Sequence, residues 1–133
     1  MNKNEMIKLV NQIILYVDQG ESAKELLEVF QEQVDFPNVR ALFNVDYSAE
    51  YIVGRVMLYE NIKIGDISRR DLIEIVKTII SCKGKEYEID NLVDKLSNAV
   101  GDPNAIDYIY FSDIEMTAEE IVDKALSNKA IKL

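Results

Sequence analysis

Glu5-Met6-Ile7-Lys8-Leu9-Val10 is answered, 66 positions on, by Asp71-Leu72-Ile73-Glu74-Ile75-Val76. Both stretches space apolar side chains three and four residues apart, the period of a helix with one buried stripe. At the same offset Ile13-Ile14 falls over Ile79-Ile80, Leu26-Leu27 over Leu92-Val93, Val34 over Val100, and Pro37-Asn38 over Pro103-Asn104. After a shift of three residues the match resumes, with Ser48-Ala49-Glu50 over Thr117-Ala118-Glu119 and Ile52-Val53 over Ile121-Val122. Such self-similarity is the mark of one unit present twice. The expectation is an all-α chain with repeats at residues 1–64 and 65–133, linked by Asn61–Ile67 with a break at Gly65-Asp66.

Within each repeat the order reads helix, helix, short turn-rich segment, helix. The first helices carry Met6, Ile7, Val10, Ile13, Ile14 and Val17, and Leu72, Ile73, Val76, Ile79 and Ile80. Ser22-Ala-Lys-Glu25 and Thr117-Ala-Glu-Glu120 fit the capping box, in which a hydroxyl accepts a free backbone N–H and a carboxylate reaches back. Ser68-Arg-Arg-Asp71 is a weaker version with a shorter acid. The second helices, with Leu26, Leu27, Phe30 and Val34, and Ile89, Leu92, Val93, Leu96 and Val100, both stop before a proline, Pro37 or Pro103. The last helices carry Ile52, Val53, Val56 and Met57, and Ile121, Val122, Ala125 and Leu126.

Composition narrows the function. A hydrophobic content of 48% with 29% charged residues is that of a globular chain. The net charge of −9 is shared between the halves, so a phosphate backbone would be repelled and direct nucleic-acid binding is not expected. An acidic surface suits a basic partner and steers its approach, and it also keeps a protein soluble. Histidine is absent, which removes the commonest general base and metal ligand. No phosphate loop or metal-ligand spacing takes its place, so neither catalysis nor a cofactor or metal is expected. Glu115, Glu119, Glu120 and Asp123 read as solvated charges near a helix start. The single Cys82 excludes an internal disulfide and reads as a half-buried thiol at a helix end. The apolar run Ile13–Val17 is too short for a membrane span and has no small-residue cleavage site, so the expectation is a soluble, cytoplasmic protein without membrane contact.

The copies diverge after the proline. The second reads Ile106-Asp107-Tyr108-Ile109-Tyr110-Phe111-Ser112; in the first, Asp107 has become Ala41, Tyr110 Asn44 and Phe111 Val45. Three aromatics and an acid within five residues cannot all point into a small core, and tyrosine is a common anchor of interfaces. One aromatic is expected to plug the gap between helices while the cluster as a whole faces a partner.

With these residues the second repeat resembles the immunity proteins of DNase-type colicins and pyocins. The shared pattern is Leu72-Ile73-Glu74-Ile75-Val76 in the first helix, an acid-rich second helix, a proline, the Asp107–Phe111 run, and Ala118-Glu119-Glu120-Ile121-Val122 in the last helix. It covers residues 69–128 directly and residues 4–60 only through the internal repeat. The resemblance implies two tandem small four-helix, immunity-like bundles, the first a degenerate copy, that bind and inhibit a cognate toxic nuclease, a DNase, beside its active site. Carried over, partner binding falls on Asp107, Tyr108, Tyr110 and Phe111, and the choice of nuclease on Glu86, Ile89, Asp90, Val93, Asp94 and Ser97 of the second helix. The chain departs from the family at Phe111, which lacks a hydroxyl, at Ser112, where a proline is usual, and at Ile106, where a capping hydroxyl is usual. The alternative is a non-catalytic helical adaptor or antitoxin-like regulatory module for a partner that is not a nuclease.

Overall fold

The computed structural model describes residues 1–102, 104–110 and 115–129. Among these, every regular element is helical: seven α-helices and one 3-10 helix, with no strand. The chain divides into two compact units, Met1–Glu60 and Asn61–Leu133.

In the first unit α1 spans Lys3–Asp18, α2 Lys24–Gln33 and α3 Ala49–Leu58, with the 3-10 helix Val39–Phe43 between α2 and α3. A capping box opens α1: Asn2 Oδ1 accepts the Glu5 N–H at 2.8 Å and Glu5 Oε1 accepts the Asn2 N–H at 3.4 Å. The box expected at Ser22–Glu25 does not form. The N-cap of α2 is Ala23, so Ser22 stands one residue too early and its Oγ receives only the Lys24 N–H, at 3.4 Å. α2 ends where Val34 turns extended, and Gln31 then latches the chain that follows. Its Nε2 donates to the Phe36 carbonyl at 2.6 Å and its Oε1 accepts the Val39 N–H at 3.0 Å.

In the second unit α4 spans Arg69–Ser81, α5 Glu86–Val100, α6 Asp107–Tyr110 and α7 Ala118–Lys129. Ser68 Oγ accepts the Asp71 N–H at 3.2 Å. The box at α7 is complete, with Thr117 Oγ1 and Glu120 Oε1 accepting the Glu120 and Thr117 N–H groups at 3.2 and 3.1 Å. At α5 only the return half exists: Glu88 Oε1 accepts the Lys85 N–H at 3.1 Å, since a lysine side chain has no acceptor. Asn61–Ile67, expected as the link, belongs to this unit. Ile62 and Ile67 pack against its core, and the Gly65 N–H donates to the Ala99 carbonyl at 3.1 Å.

The apolar stripes are narrower than their sequence pattern. α1 buries Met6, Leu9, Val10 and Ile13, whereas Val17 is exposed; α4 buries Leu72, Ile73, Val76 and Ile79, whereas Ile80 is exposed. Each stripe meets the last helix of its unit, where Ile52 and Val53 of α3, and Ile121 and Val122 of α7, are buried. Full burial of such a side chain contributes roughly 1.5–3 kcal/mol. Arg69 and Asp123 join the start of α4 to α7 through paired bonds of 2.8 and 3.1 Å. That hydrogen bond, and then the charge, holds the Asp123 carboxyl below its usual range. Both side chains are more than half exposed, so solvent screens the pair.

Two of the helices end in a left-handed residue. Gly101, not Pro103, stops α5: its φ is 69° and its N–H donates to the Ser97 carbonyl at 3.0 Å. Cys82 stops α4 with a φ of 53°, the one positive φ outside glycine among the described residues. Gly101→Ala is expected to destabilise the second unit by about 1–2 kcal/mol, because the αL conformation is strained for a Cβ. That atom would also lie 2.5 Å from Ile64 Cδ1. Cys82→Gly is expected to raise stability by ~0.5–1 kcal/mol by removing the same kind of strain. Urea denaturation followed through amide exchange of α4 and α5 reads both changes.

Candidate functional site

Asp102 builds the segment that carries the expected site. It is 1% exposed; its Oδ1 accepts the Asn104 N–H at 3.0 Å and its Oδ2 accepts the Tyr108 hydroxyl at 2.9 Å. A buried carboxylate holding both the entering turn and the middle of the next helix fixes the course of the chain. Backbone bonds from Ala105 to the Asp102 carbonyl and from Asp107 to the Asn104 carbonyl complete the entry into α6. Asp102 thus ties the turn before α6 to a side chain within it, without capping the helix's first N–H groups. The signal for it in the sequence was Asp102-Pro103, a turn-opening pair.

α6 is a single turn, and its geometry sorts the aromatic run. Tyr108 turns inward: it is half-buried against the core, bonded to Asp102, and covered by Lys124 of α7 with Nζ 4.6 Å from the ring centre. Tyr108 is the aromatic that fills the gap between helices. Asp107 and Tyr110 lie three residues apart and so share the opposite side of the turn. Asp107 is exposed, and its carboxylate makes no hydrogen bond or ion pair among the described residues. Tyr110 is 50% exposed. Phe111, the fourth residue expected to touch a partner, lies outside the described residues.

The Tyr110 phenol is pushed above the usual range, first by partial burial and then by electrostatic interaction with Cys82 and Asp90. Glu86, Asp90 and Asp94 follow one another at four-residue steps and form an acidic ridge on one face of α5. Glu86 and Asp94 are exposed and Asp90 is half-buried. Ile89 and Val93 are instead packed, partly buried, against the core, and Ser97 is half-buried. Of the six α5 positions expected to select a partner, Ile89 and Val93 serve mainly in packing, and Glu86 and Asp94 are exposed.

Three of the four acids read as solvated charges have partners within the fold. Glu120 caps α7, Asp123 pairs with Arg69, and Glu119 lies 4.0 Å from Lys77. Cys82, expected half-buried, is exposed, with its Sγ 3.4 Å from the Ile79 carbonyl. The αL turn at the helix end swings its side chain outward. In the first unit, a cation in the last helix again packs on aromatic rings: Arg55 lies 5.6 Å from Phe36 and 5.9 Å from Tyr51, and its Nη1 donates to the Tyr51 hydroxyl at 3.0 Å. Arg55 and Lys124 occupy matching repeat positions, a device invisible in the sequence because the rings it uses do not align.

Among the described residues no group of three or more His, Cys, Asp or Glu side chains could hold a metal ion. Nor is any helix among them long and apolar enough to cross a membrane. Compared with known proteins, the chain matches no family model, no curated protein and no solved structure.

If Asp90 raises the Tyr110 phenol, Asp90→Asn lowers its titration midpoint towards the ordinary tyrosine value near 10. Ultraviolet difference titration against a Tyr110→Phe reference isolates this group from the other six tyrosines. An unchanged midpoint would separate the α5 ridge from α6.

Proposed function

We propose that the chain is a bacteriocin immunity protein of the colicin and pyocin type. In this reading two tandem four-helix, immunity-like units act in the cytoplasm, and the second binds and inhibits a cognate toxic DNase beside its active site. The observation that carries the proposal is the pairing of exposed Asp107 and Tyr110 on one side of α6, in a unit whose α5 carries the acids Glu86, Asp90 and Asp94 along one face. A nuclease domain is basic because it must hold DNA, so an acidic inhibitor gains a fast, salt-sensitive encounter. An aromatic anchor then slows dissociation once water is excluded around it. Asp107 and Tyr110 supply the contact, with Phe111 following them in sequence, while Tyr108 and Asp102 hold α6 in place. The chain needs no cofactor or metal for this role and does not touch nucleic acid itself.

A second reading, a non-catalytic adaptor or antitoxin-like module for a partner other than a nuclease, is favoured by one observation. The first unit keeps the architecture but has Ala41 and Asn44 where the second has Asp107 and Tyr110.

Capture from a strain that makes the protein separates the two, with wild type and Asp107→Ala/Tyr110→Ala as baits. The expected result is a basic, DNA-cleaving protein held by wild type and at least a hundredfold more weakly by the variant, a loss of about 3 kcal/mol. A nuclease held equally by both would move the site elsewhere. No nuclease from a strain shown to express one would overturn the immunity reading in favour of the adaptor.

A further inference from the structure

The register of the repeat pairs positions near the end of the first helix and the short third helix: Ile14 answers Ile80, Asn44 answers Tyr110 and Val45 answers Phe111. In the second unit Ile80 and Tyr110 are each about half exposed. In the first unit this region lines an open cleft of ≈ 340 Å³, bounded by Val17, Asp18, Phe43, Val45, Asp46 and Tyr47.

The cleft has a definite chemistry. Val17 and Val45 are exposed apolar side chains, 44% and 58% accessible. Its aromatic walls are held from behind. Tyr47 is stacked on Tyr51 with centroids 4.1 Å apart, and Phe43 meets Phe30 edge-on at 6.2 Å. Walls already fixed in place lose little freedom when something binds between them. Asp18 and Asp46 are exposed lining residues, no lining residue is basic, and neither carboxylate forms a hydrogen bond or ion pair among the described residues.

We propose that this cleft is a docking site for a short apolar segment of a partner protein that carries lysine or arginine side chains. Its size suits a few side chains, at the low end of clefts that hold ligands. The valines and aromatic edges take the apolar residues, and Asp18 and Asp46 take the cations flanking them. A phosphate-bearing ligand is disfavoured, because it would meet two carboxylates and no cation. The first unit then carries a binding surface of its own at the matching repeat positions, an acid-lined cleft where the second displays an exposed aromatic. This inference stands apart from the nuclease reading and needs no nuclease for its test.

The test is a titration of the full chain, labelled with ¹⁵N, using the capped hexapeptide Leu-Lys-Ile-Leu-Lys-Leu. A control peptide has glutamate in place of both lysines. The expected result is saturable amide shifts at Val17, Asp18 and Asn44 to Tyr47, none with the glutamate peptide, and affinity that falls as salt rises. Asp18→Asn/Asp46→Asn is expected to bind about tenfold more weakly, with unchanged helicity by circular dichroism. Val17→Ser/Val45→Ser is expected to weaken binding at high salt as well, where only the apolar contacts remain. Shifts spread over the acidic surface or centred on Asp90 and Tyr110 would overturn the proposal. So would equal binding by the Asp18→Asn/Asp46→Asn variant, or no shift at millimolar peptide.

Discussion

Each unit depends on one seam, where its first helix packs against its last. Val10 meets that seam in α1 and Val76 in α4; Ile52 and Val53 answer from α3, and Ile121 and Val122 from α7. A domain of about sixty residues buries a smaller share of its surface than a larger one does, so it has few side chains to lose from such a contact. The seam also explains why the repeat is legible at all. Residues at the seam are constrained by packing density, whereas those in the connecting segments are free to change with the surface they serve. The register breaks only between the second helix and the last, where the shift from 66 to 69 residues lengthens the connection without disturbing the seam.

Helix order, the caps at Ser68 and Thr117, and most of the buried stripe could be read from residue type and spacing. Residue type is ambiguous where two residues compete for one role. Ser22 and Ala23 compete to cap α2, and only backbone geometry decides. Gly101 and Pro103 both end helices, but a glycine at a left-handed position acts first. Ile14 and Ile80 fit an apolar stripe by periodicity, yet Ile80 stands about half exposed and Ile14 lines an open cleft. Sequence spacing cannot report a missing neighbour.

The candidate site shows the same division. That the Asp107–Phe111 run was special followed from its composition. Which tyrosine turns inward did not, because the answer depends on Asp102, a partner six residues before Tyr108 whose side chain is buried only once the chain has turned. The cost of burying that carboxylate is met by donors from two directions, and this fixes the rotation of α6. Rotation then sets what is displayed: with Tyr108 held inward, Asp107 and Tyr110 take the opposite side of the turn. The cation that covers Tyr108 from α7 has its counterpart over Phe36 in the first unit. The copies therefore share a cation packed on an aromatic ring while differing in what the short third helix displays.

The left-handed residue that closes α4 has a practical consequence. Cys82 is the chain's only cysteine and it faces solvent. A dye attached through a maleimide would therefore sit in a single known place, at the C-terminal end of α4, with no residue of the chain replaced. Its brightness or anisotropy would report changes in its surroundings there in real time. The chain has no tryptophan to compete with the signal. A strained helix end thus doubles as a built-in attachment point for an optical reporter.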